Sequence, residues 1–156
     1  MRLRQPQMQI SNKYIEWGGI IYVSPFVEWR RNDMTIMECL NRIDTIKPNS
    51  YSQSEKIKWL STLDGIIKTE IIDTHEGGEK IPFKGYGDDE PISTELLVPP
   101  PYDEIYLFWL ESKIDYWNGE IDRYNNSNEM YNAAYTSFAR YYNRSNKPKG
   151  KKFKFF

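Results

Sequence analysis

The sequence predicts an all-α fold, a four-helix bundle-like domain with a long Gly/Pro-rich arm between its second and third helices. Three observations carry that prediction. Leu107, Leu110, Ile114, Trp117, Ile121 and Tyr124 recur at spacings of 3, 4, 3, 4 and 3, the seam of a helix packed along a partner. Thr35-x-x-Glu38 and Ser52-x-x-Glu55 are capping boxes, in which the hydroxyl accepts an amide and the carboxylate reaches back to the cap residue. Glycine and proline gather between residues 76 and 99 and thin out on either side.

Residues 1–33 differ from the rest. Ile15-Glu-Trp-Gly-Gly-Ile-Ile-Tyr-Val-Ser-Pro-Phe-Val-Glu-Trp29 is an apolar run broken by Gly-Gly and Ser-Pro, which reads as a short hairpin. A second reading makes this stretch an extension outside the natural protein. Arg30-Arg31 is encodable as a ribosome-binding sequence, and Met34 follows as a candidate start. The expected division is therefore an extension at 1–33, a helical domain at 34–146 and a basic tail at 147–156.

The first helix is expected over 35–46, with Ile36, Leu40 and Ile43 on one face and Lys47-Pro48 ending it. The second, over 52–73, places Ile57, Leu60, Leu63, Ile67 and Ile71 on its apolar face, widened by Trp59 and Ile66. His75-Glu-Gly-Gly closes it. The arm follows, and a segment so long and rich in Gly and Pro predicts a projection toward a neighbouring subunit. Its apolar residues Ile81, Phe83, Tyr86, Leu96, Leu97 and Val98 form the expected subunit interface, and 81–83 could pair with 95–98 as short strands.

The third helix is expected from Pro101, suited to a first helical position, to about Tyr124, with Asp103 and Glu104 at the positive end of its dipole. Gly119 falls inside it, and close approach of another backbone would explain its presence. The fourth helix is expected over 127–143, capped by Asn126 with Glu129, with Met130, Ala134, Ser137 and Tyr141 continuing the seam.

Composition limits the function classes. Aromatic residues make up 15% of the chain, including 12 Tyr, too rich for a disordered protein and well suited to interfaces. No apolar run approaches a membrane span, and Met1-Arg-Leu-Arg lacks the apolar core of a signal peptide. A soluble protein without membrane partners, made in a reducing cytoplasm, is expected. Cys39 is the single cysteine and reads as a buried thiol. Net charge is −1, yet Asp64 to Asp122 carries fifteen acids against four lysines, while Tyr131 to Phe156 carries seven Lys/Arg and no acid. Such a basic block marks an interaction tail.

Reaction chemistry finds little support. His75 has no second ligand at metal spacing and reads as a partner of the last helix carbonyls. Asp88-Asp89-Glu90 lacks the alternation of a calcium loop. Asp103 with Glu104, and Asp115 with Glu120, read as charges on exposed helix faces. There is no phosphate loop, nucleophile elbow or dinucleotide fingerprint, and Gly85-Tyr-Gly87 is too weak to count. No catalytic, cofactor or metal residue is assigned, and no enzyme is expected.

Several segments carry a family resemblance: Pro100-Pro-Tyr-Asp-Glu-Ile-Tyr106, Ile114-Asp-Tyr-Trp-Asn-Gly-Glu120, Tyr124-Asn-Asn-Ser127 and Tyr141-Tyr-Asn-Arg144. To these add Met34-Thr-Ile-Met-Glu-Cys-Leu-Asn-Arg-Ile-Asp44 and Glu70-Ile-Ile-Asp-Thr-His-Glu-Gly77. Together they resemble the small head–tail connector proteins of tailed bacteriophages over residues 34–148. The resemblance implies a structural virion protein at the head–tail junction, in a homo-oligomeric ring of about twelve copies that closes through one repeated contact. It implies as partners the portal protein, tail or head-closure proteins, and genomic DNA passing through without sequence-specific binding. An acidic channel wall would let DNA slide without sticking. The expected portal-docking residues are Lys147, Lys149, Lys151, Lys152, Phe153, Lys154, Phe155 and Phe156. The alternatives are a DNA-binding or packaging accessory protein, which the basic tail would serve, and another neck or tail-completion protein.

Overall fold

A computed structural model describes the strands within residues 9–23 and, with side chains, residues 33–87 and 89–150. The chain divides into two units, 1–31 and 32–156. In the first, β1 (Gln9–Ser11), β2 (Tyr14–Trp17) and β3 (Ile20–Val23) form an antiparallel sheet in sequence order. Ile10 lies opposite Ile15, and Trp17 opposite Ile20. The β2–β3 pair is the hairpin that the broken apolar run predicts.

The second unit is all-α, as the helical periodicity predicts. Its helices are α1 (Ile36–Ile46), α2 (Gln53–Glu70), α3 (Ile105–Trp117) and α4 (Ile121–Ser145). Thr35 caps α1 by accepting the Glu38 amide at 3.2 Å, and Ser52 caps α2 by accepting the Glu55 amide at 3.1 Å. Each cap satisfies an amide with no partner inside the helix, worth about 1 kcal/mol. A single-turn 3₁₀ helix, Ile72–Thr74, extends α2, and another spans Gly78–Lys80.

The core is one cluster to which every helix contributes. It unites Ile36, Leu40 and Ile43 of α1, Leu60, Leu63 and Ile67 of α2, Leu107, Leu110 and Ile114 of α3, and Phe138 of α4. The α2 stripe lies where the spacing places it. The seam of the last two helices does not. The third helix stops at Trp117 because Gly119 takes φ +73°, a left-handed conformation that closes a helix end. Nothing approaches within 4 Å of where a Gly119 Cβ would stand, so no backbone packs there; its role is to turn the chain.

With the break at residues 118–120, α4 starts at Ile121, and Asn126 lies within it and caps nothing. Trp117 and Ile121, expected on the buried seam, are 62% and 59% exposed. Met130 is exposed as well, and the face α4 turns inward carries Tyr131, Ala134, Phe138 and Tyr141. Aromatic contacts knit this face to α3 and to the turn before it. Trp109 meets Tyr131 at 4.9 Å between ring centroids, and Tyr102 stacks on Tyr141 at 4.6 Å. The start of α3 also shifts: Pro101 belongs to a run of turns, and the helix begins at Ile105.

Candidate interaction surfaces

The arm is not a free projection over its second half. Leu96 is 4% exposed and Val98 is fully buried, both in the chain's own core. Backbone bonds tie the segment down: Leu96 N–H donates to Met34 O at 2.9 Å, Ile36 N–H to Thr94 O at 3.0 Å and Met37 N–H to Ile92 O at 2.8 Å. The expectation that Leu96 and Val98 need cover from a neighbour is therefore corrected; both already belong to the chain's own core cluster. Leu97 packs at the edge of the same core. Residues 81–83 pair with no strand, and the partner of 94–96 is the segment leading into α1. Of the expected interface residues, Ile81 is 37% exposed, and Phe83 is half-buried against Tyr86 at 5.3 Å between centroids.

Asp64 is the anchor for this wrapping. Its carboxylate is fully buried and accepts hydrogen bonds from Tyr86 Oη, from Tyr106 Oη at 2.6 Å and from the Leu97 amide at 3.3 Å. Tyr106 Oη also accepts the Val98 amide at 2.8 Å. One carboxylate thus joins α2, α3 and both halves of the arm. Burial pushes the Asp64 carboxyl up to about 6, against the lowering effect of its three donors. Burial, reinforced by the neighbouring Asp64 charge, holds both tyrosine hydroxyls well above the ordinary range, so they stay protonated donors. Every donor comes from the chain itself, and the cluster acts as a clasp.

A second buried acid corrects an expectation about charge. Asp115, expected on an exposed face, is 1% exposed. It pairs with Lys47 from the α1–α2 connection and accepts from Ser127 Oγ of α4 at 2.9 Å. Nearby, Tyr51 donates to Asn118 Oδ1 at 3.0 Å. These contacts hold the α1–α2 connection against the α3–α4 turn. Asp103 and Glu104 are at least partly solvent-facing, at the start of α3.

That turn carries the largest apolar exposure in the unit's described residues. Tyr116 and Trp117 meet edge to face at 5.3 Å, Tyr116 lies 5.5 Å from Tyr124, and Ile121 follows on the first turn of α4. Tyr116 is 52% exposed and its two apolar neighbours more so. Exposed aromatic clusters of this kind mark association surfaces, because their burial releases water from large apolar area. Sequence periodicity counted Trp117, Ile121 and Tyr124 as core; the Asn118-Gly119 pair was the signal that the helix ends at Trp117. A smaller apolar strip, Met37 and Ile46 on α1 with Ile92 from the arm, is also exposed.

The tail begins at the opposite end of α4. His75 is buried, and its Nδ1 donates to Ile71 O at 2.8 Å, the helix-end carbonyl contact expected of it. Residues 147–149 run antiparallel to 74–76: Glu76 N–H donates to Lys147 O and Lys149 N–H to Thr74 O, both at 2.9 Å. Lys147 pairs with Glu76 at 2.9 Å and Lys149 with Glu79 at 3.2 Å, so two of the expected portal-docking lysines already have partners within the chain. Lys151, Lys152, Phe153, Lys154, Phe155 and Phe156 lie outside the described residues.

Cys39 is buried in the core, and burial holds its thiol far above the ordinary range. Among the described residues no group of three His, Cys, Asp or Glu side chains could hold a metal ion. No helix among them is long and apolar enough to cross a membrane. No family model, curated protein or solved structure matches the chain.

Proposed function

We propose that this chain is a structural subunit of a bacteriophage virion, one copy of an adaptor ring between portal and tail that extends the DNA channel. The motif resemblance over residues 34–148 supplies the family. The observation that carries the assembly role is the exposed aromatic turn of Tyr116, Trp117 and Ile121, displayed on a rigid helical hairpin. The hairpin is held by the hydrogen bond from Ser127 of α4 to buried Asp115 of α3 and by aromatic packing, so the turn is presented with little conformational freedom to lose on binding. The acidic stretch between Asp64 and Asp122 suits the wall of a channel for DNA.

The experiment is co-expression with the portal protein that this reading expects to be encoded nearby, followed by purification of the portal ring and electron microscopy. The expected outcome is stoichiometric density beneath the portal, with a ring of one subunit type. A chain that never associates with portal, and that is retained on DNA at low salt and released at high salt, would replace this reading with the DNA-binding one.

A further inference from the structure

We infer that the aromatic turn of one copy receives the C-terminal phenylalanines of a second copy, so that the subunits join head to tail. The inference rests on the assembly reading above and names its contact. Three observations carry it.

The first is reach. The turn stands at the start of α4, at Ile121, and the tail leaves its end, after Ser145. Those two points are about 36 Å apart at 1.5 Å per residue. The chain does not run back along the helix, because Lys149 is bonded to Thr74 at the far end of the unit. From Gly150, residues 151–156 extend about 20 Å at most. Phe153, Phe155 and Phe156 therefore cannot reach the aromatic turn of their own copy. Only another copy's turn is open to them.

The second is chemistry. Tyr116, Trp117 and Ile121 offer apolar area that water covers poorly, and three phenylalanines within four residues offer the same. The third is charge. Lys151, Lys152 and Lys154 stand among the phenylalanines, and the chain carries no acid after Glu129. Asp122, beside Ile121, is exposed, and Glu111 is half-buried on α3. Alternating Lys and Phe can set rings on the turn and ammonium groups on the acids around it. The donor and acceptor surfaces lie at opposite ends of the unit, so the contact is heterologous and propagates until it closes.

The test uses two variants of the full chain, one with Trp117→Cys and one with Phe155→Cys, mixed under mild oxidation. The native Cys39 is fully buried and does not compete. A disulfide-linked heterodimer should exceed by at least about tenfold that formed when Thr136→Cys, on the outer face of α4, replaces the Trp117 variant. Because Trp117 itself contributes to the turn, a second measurement keeps it intact. Phe153→Ala, Phe155→Ala and Phe156→Ala together should weaken self-association of the chain by at least about tenfold, read by sedimentation velocity, with helical circular dichroism unchanged. Crosslinking at the control level overturns the inference. So does a triple variant that self-associates like its parent, or phenylalanines that prove necessary for portal capture and not for self-association. Tail-to-turn crosslinking without any portal binding keeps this contact and removes the neck-adaptor reading; portal binding without the crosslink does the reverse.

Discussion

Asp64 shows what a single buried acid contributes and what it costs. Its folded-state pKa lies near 6, above the ordinary 3.8, so the native state favours the protonated form. Ionisation therefore lowers stability: the penalty is fully present above about pH 6 and vanishes below about pH 4. The difference between 3.8 and about 6 corresponds to roughly 3 kcal/mol. Asp64→Asn should flatten the stability profile across that window, measured by urea unfolding at pH 4.5 and pH 7 on both proteins; parallel profiles would show that Asp64 is not the titrating group. The carboxylate was legible as an acid on the apolar stripe of the second helix, between Leu63 and Ile67. Its partners were not, because Tyr86 and Tyr106 lie 22 and 42 residues away and meet it only through tertiary packing. Gly119 is a second residue with a defined duty. At φ +73°, Gly119→Ala should destabilise the protein by about 1–2 kcal/mol through left-handed strain alone, since open space surrounds the site.

Among the elements, α3 and α4 divide sharply between buried seam and exposed turn. Ile114→Ala removes a fully buried side chain and should cost about 2–5 kcal/mol, whereas Trp117→Ala should leave thermal stability within about 0.5 kcal/mol. Calorimetry on the pair distinguishes this arrangement from a continuous buried seam, which would make the tryptophan the costlier loss. Helix caps and the apolar faces of α1 and α2 were readable because they depend on neighbours three or four residues away. The break between α3 and α4 escaped that reading for a physical reason. Only residues 118–120 separate the helices, and so short an interruption leaves the 3–4 spacing of apolar residues almost intact. The arm was misjudged for the opposite reason: Gly and Pro report the absence of regular structure, and Leu96 and Val98 are buried without it. Their amides bond to Met34 O and Tyr106 Oη, so hydrogen exchange in the isolated chain should find both protected well beyond the exposed loop around Gly87. Exchange as fast as in that loop would place the arm off the core.

At the scale of the whole helical unit, the two ends differ in character. One presents aromatic rings beside acids; the other is closed by His75, by two backbone bonds to residues 147–149 and by two exposed ion pairs. Exposed pairs are worth little each and less at high salt, so the backbone bonds set where the tail departs. That polarity was half legible in the sequence, as an acidic body and a basic end, but which surfaces carry it needed the fold. The core itself offers a way to watch the molecule open. Cys39 is the chain's only thiol, sits in the centre of the cluster and is kept protonated by its surroundings. A thiol reagent can reach it only when the core parts, so the labelling rate of the unmodified protein is a clock for its opening. A labelling rate that falls as protein concentration rises would measure, with no added probe, how much each copy gains from its neighbours.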